Sequence, residues 1–147
     1  MSSSILRLSA AAIAFAGALA FANPSTAEVI NLKAQLKAAN EVPPNASTGT
    51  GELTATYDTA SKKLSWKGTY SGLTGPATAA HFHGATPPSP PAGNSAIVVP
   101  APAPSSPFQG SATLTDEQAA DLLAGKWYFN IHTAANKGGE IRGQVTK

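Results

Sequence analysis

No cysteine occurs anywhere in this chain of 147 residues. That excludes disulfides, the usual support of small exported domains, and removes thiolate from the available nucleophiles and metal ligands. Any metal site must therefore be built from nitrogen and oxygen. Charge is also sparse, at 12% Asp, Glu, Lys and Arg. No basic cluster of the kind that grips phosphates is present, so nucleic acid is not an expected partner. Histidine is limited to three residues, His81, His83 and His132. No carboxylate pair suited to glycoside hydrolysis and no nucleophile elbow stands out, so the sequence names no catalytic residue and leans away from an enzyme.

What is present begins with a segment unlike the rest. Met1 to Leu8 is short and polar with one charge, Arg7; Leu8 to Ala20 is apolar; Pro24 and the small residues Ser25-Thr26-Ala27 follow. This order reads as a secretory signal peptide over residues 1–27, cut after Ala27, with Ala22 as a second candidate. Its apolar run of about 13 residues falls short of the roughly 20 that span a bilayer. The expectation is export to the periplasm or the extracellular space, without a membrane anchor. Residues 28–147 then suit a single domain. Without Arg7 that domain is nearly neutral.

Most of it reads as strands punctuated by Gly and Pro. Residues 30–36, 51–57 and 64–70 alternate apolar and polar side chains, as expected of strands with one buried face. Residues 77–83, 96–99, 108–114, 127–133 and 140–145 bring the set to about eight strands, the pattern of an all-β sandwich or barrel. One helix interrupts them. Thr115 and Gln118 form a capping box, Asp116 and Glu117 occupy the first turn, Ala119, Leu122 and Leu123 form the apolar stripe, and Gly125 ends it. This helix should cover an end of the sandwich. A proline-rich loop over residues 86–107 carries eight of the twelve prolines, and its flanks are expected to lie outside any sheet.

Strand parity orients the histidines. His81 and His83 are two apart, which in a strand puts both imidazoles on one face, about 6–7 Å apart at the backbone. Ala80 and Phe82 look like core residues, so the two histidines face away from the core. In the segment 127–133, Trp127, Phe129 and Ile131 take the core side and Tyr128, Asn130 and His132 the other. If the two strands are neighbours, all three imidazoles converge beside the proline-rich loop. Three nitrogen donors suit copper, with zinc the alternative; a purely structural hydrogen-bond cluster is the competing interpretation. Tyr128, Asn130, Glu140 and Arg142 are the candidate supporting residues. Glu140 could also ligate, although a structural ion pair with Arg142 or with groups on the preceding strand is its default role.

These segments together resemble the CHRD domain, named from chordin and found in exported bacterial proteins. The resemblance rests on Asn40-Glu41-Val42-Pro43-Pro44, Ala80-His81-Phe82-His83-Gly84, residues 114–118 continuing to Leu123-Ala124-Gly125, residues 127–133, and Gly139-Glu140-Ile141-Arg142-Gly143-Gln144. It spans about residues 30–146 and implies an exported, immunoglobulin-like β-sandwich. It implies no reaction. After Gly84 this chain departs from the family pattern, with a proline-rich insertion in place of a short glycine-containing link. At the level of fold it is also similar to copper/zinc superoxide dismutases, which carry a His-x-His strand; this chain lacks their further histidines and their disulfide, so a bimetallic dismutase is not expected.

Three functions stay open, in this order. The first is a metal-binding protein using His81, His83 and His132, without an organic cofactor. The second is a structural or protein–protein interaction module, self-associating or bound to another exported protein. The third is a redox enzyme using the same histidines.

Overall fold

The computed structural model describes residues 26–84, 97–101 and 105–147. The expected signal segment and most of the proline-rich loop lie outside the described residues. The strands are β1 (Val29–Lys37), β2 (Thr50–Asp58), β3 (Lys63–Ser71), β4 (Ala77–His83), β5 (Ile97–Ala101), β6 (Phe108–Thr113), β7 (Tyr128–Thr133) and β8 (Ile141–Gln144), with helix α1 (Asp116–Leu123) between β6 and β7. All pair antiparallel in one sheet of order β5-β4-β7-β8-β1-β2-β3-β6. The fold is all-β with one short helix, as expected.

The sheet curls so that its two halves face each other. Trp66 of β3 meets Phe82 of β4 edge-on at 5.0 Å, and Phe108 of β6 stacks on Phe129 of β7 at 5.6 Å, although neither strand pair is hydrogen-bonded. Phe82 also touches Phe129 at 4.8 Å and Trp127 at 6.0 Å. Alternation supplies the rest of the core: Leu32, Ala34 and Leu36 from β1, and Leu53, Ala55 and Tyr57 from β2. The capping box of α1 is formed in full, Gly125 adopts φ +72°, and Ala119 and Leu122 are buried against the core.

One expectation needs correction. Neither flank of the proline-rich segment was expected in the sheet, yet Pro100 lies in β5 and pairs with His81. β5 is an edge strand, where a residue without an N–H can sit with its bare nitrogen turned away from the ladder. Both faces of β7 are covered, with all six of its residues buried.

The β7–β8 connection is held by a buried charge. Glu140, 0% exposed, receives Ser47 Oγ at 2.6 Å, the Thr74 amide at 2.7 Å and Thr74 Oγ1 at 2.7 Å. Thr133 Oγ1 at 2.5 Å and Asn136 Nδ2 at 3.1 Å complete the set. Asn45 adds a second tie to the same turn, donating its amide to the Glu140 carbonyl at 3.0 Å. Burial alone would push the Glu140 pKa up; the Ser47, Thr133 and Thr74 hydroxyls and the Thr74 amide more than reverse this, to about 2. No ion pair joins Glu140 to Arg142, which turns to Glu41 instead.

Two predictions follow from this packing. Phe129→Ala should cost about 3–5 kcal/mol of stability, because its ring bridges both halves of the core; urea unfolding measures it. Glu140 is held below its ordinary value of 4.5, so the stability it contributes is fully present above pH 4.5 and is lost as pH falls toward about 2, a total of about 3 kcal/mol. Urea midpoints across that window should fall steeply for the wild type and much less for Glu140→Gln, which starts lower at neutral pH.

Candidate functional site

β4 and β7 are hydrogen-bonded neighbours, with Ala79 opposite His132, His81 opposite Asn130 and His83 opposite Tyr128. Since Ala80, Phe82, Phe129 and Ile131 are fully buried in the core, the period-two pleat sends His81, His83, Asn130 and His132 to the opposite face. There the three imidazoles meet. One ring nitrogen from each lies within 4.8 Å of the others. The ring centroids of His81 and His132 are 4.8 Å apart, those of His81 and His83 5.5 Å, and those of His83 and His132 6.4 Å.

The hydrogen bonds define which nitrogens carry protons. His132 Nδ1 stands 2.9 Å from the Lys137 carbonyl oxygen. A carbonyl only accepts, so Nδ1 bears the proton and Nε2 of the neutral ring carries the lone pair. That Nε2 is 3.0 Å from His81 Nδ1, which can donate to it. Nε2 is also 3.0 Å from Asn130 Oδ1, and His83 Nε2 is 3.0 Å from the same oxygen. His83 donates there; His132 faces it lone pair to lone pair. The Asn130 amide is turned this way because its Nδ2 lies toward the Glu41 carboxylate, close enough to lower the Glu41 pKa although outside hydrogen-bond geometry.

Of the four supporting residues, three surround the cluster. Tyr128 stacks face to face on His83, at 4.6 Å and 7°. Arg142, projecting from β8 on the other side of β7, places its guanidinium carbon 3.6 Å from the Tyr128 ring centre. Asn130 touches both His83 and His132. Glu140 stands apart in its own network, and its carboxylate does not belong to the three-histidine group.

Sequence reasoning missed Glu41, Ser47, Thr74 and the Lys137 carbonyl. Glu41 is 3% exposed and its Oε2 lies 3.4 Å from Arg142 Nε. Burial raises its pKa, against the opposing pull of Arg142 and Asn130. The only signal for it was its place in the Asn40-Glu41-Val42-Pro43-Pro44 motif. Gly139 completes the arrangement: its φ is +134°, and a Cβ there would strike the Glu41 carboxylate and the Asn130 amide.

Burial lowers the pKa of His81, with the neighbouring His132 and His83 acting in the same direction. Burial also lowers that of His132, against the Lys137 hydrogen bond and with help from Arg142. Both rings should therefore titrate below the ordinary 6.5. Nitrogen-detected NMR at pH 7 should show His132 as the neutral Nδ1–H tautomer; an Nε2–H ring would contradict the assignment.

A family model, the CHRD domain, matches residues 32–145. No curated protein and no solved structure matches the chain. The matched span contains all three histidines, Glu41, Asn130, Glu140 and Arg142, so both the histidine cluster and the network that orients it are built from family-matched sequence. The chain belongs to the CHRD domain family.

Proposed function

We propose that this CHRD-domain chain is an exported protein that binds a metal ion through His81, His83 and His132, with copper favoured and zinc the alternative. The observation that carries this is the convergence of three imidazoles within 4.8 Å on one sheet face. Ligating nitrogens around one ion stand about 3–4 Å apart, which small side-chain rotations here would reach. The Lys137 carbonyl on His132 Nδ1 is the kind of outer partner that fixes a ligating imidazole and raises its basicity. A cation between His132 Nε2 and Asn130 Oδ1 would also relieve their lone-pair contact. Copper is favoured because a thiolate-free, imidazole-rich set suits Cu(II), which heads the divalent affinity order. Export rests on the signal-like residues 1–27.

A structural role is the second reading. It is favoured by the contacts themselves, since each histidine already has a polar partner inside the site. The two differ in what an added ion does.

Titrating the purified, tag-free protein with Cu(II) and Zn(II) decides between them. Tight one-to-one binding should weaken by about 100-fold or more in His81→Ala/His83→Ala. Weak binding that the substitution leaves unchanged would sink the metal reading. Protons compete for the same nitrogens, so affinity should fall as pH drops. Because burial lowers the pKa of His81 and His132, that fall should begin below 6.5 rather than at it.

A further inference from the structure

We propose that the histidine site, holding its divalent ion, takes a small exogenous anion as an additional ligand. This rests on the metal-binding reading above and extends it from the ion to what the ion binds.

Charge carries the argument. Three imidazoles and the Asn130 carbonyl are all neutral donors. Among the described residues no carboxylate joins the cluster, and the chain has no cysteine to supply a thiolate. The two buried carboxylates of this region are committed elsewhere. Glu140 is taken up by Ser47, Thr74, Thr133 and Asn136, and Glu41 faces Arg142. A divalent ion would thus keep its full charge beside His83 at 2% exposure, Tyr128 at 1% and Asn130 at 0%. Uncompensated charge in such surroundings is costly.

Arg142 leaves this balance unchanged. It is a second buried cation, 3% exposed, and its Nε, Nη1 and Nη2 make no hydrogen bond. It lies 3.4 Å from Glu41 Oε2, so these two buried side-chain charges offset each other, and the charge that an anion bound to the metal would balance is the ion's own. Access is on the His81 side, since that residue is the least buried of the three. The class that fits is a small monoanion able to ligate end-on: hydroxide, a halide, or the carboxylate of a small acid.

Azide is the probe. Added to the Cu(II)-loaded full chain, it should produce a new ligand-to-metal charge-transfer band and a changed electron paramagnetic resonance spectrum, half-saturating below about 10 mM. Chloride and acetate should compete for the same band. His81→Ala/His83→Ala should abolish it, and an azide band of equal size in that variant would overturn the proposal by placing the responding ion elsewhere. Failure to bind Cu(II) would overturn the metal reading and this one with it. Bound Cu(II) that gives no azide response up to about 100 mM would overturn this one alone.

Discussion

A single buried carboxylate organises the end of the sandwich where the histidines lie. An ionised carboxylate without partners would cost several kcal/mol in that setting, so Glu140 is tolerable only if its donors are all in place. They come from the segment before β2, the segment after β3, the last residue of β7 and the β7–β8 turn. Satisfying one charge therefore fixes four segments relative to one another. The same turn carries Lys137, whose carbonyl selects the His132 tautomer. The chemistry of one histidine is in this way a consequence of where a distant glutamate finds its hydroxyls.

The second constraint is parity, and it is the part that the sequence made legible. Phe82 between His81 and His83, and Phe129 and Ile131 on either side of Asn130, must enter the core; a period of two then leaves only one face for the imidazoles. Adjacency of β4 and β7 is what turns parity into a cluster, and the register places His81 opposite Asn130. The helix was legible for a similar reason, because capping box, apolar stripe and terminal glycine are all local signals.

What was not legible is, by contrast, non-local in cause. Glu140 and Arg142 share a strand face by spacing, which suggests pairing, yet Arg142 reaches Glu41 about a hundred residues earlier and Glu140 reaches hydroxyls in two other segments. Serine and threonine hydroxyls are too common in the sequence for a particular few to announce themselves as carboxylate donors. Pro100 illustrates the same limit: whether a proline can sit in a sheet depends on which edge its strand occupies, and strand order is a property of the whole chain.

The two buried carboxylates, treated so differently, also define the character of the histidine site. Hydrogen-bond donors hold Glu140 ionised, while burial pushes the Glu41 pKa up against the pull of Arg142, Asn130 and the Val42 amide. Neither offers its charge to the imidazoles. Burial, with the neighbouring His132 and His83, then lowers the pKa of His81, and the Lys137 bond turns the lone pair of His132 inward. As a proton-bonded network the cluster can satisfy His81, His83 and both nitrogens of His132, but it leaves the His132 and Asn130 lone pairs opposed at 3.0 Å. A proton placed there would make His132 cationic in a site where burial and the charge of Arg142 already resist that. A cation shared among several neutral donors would relieve that contact without charging any one ring, whereas a cluster held by hydrogen bonds alone would keep it.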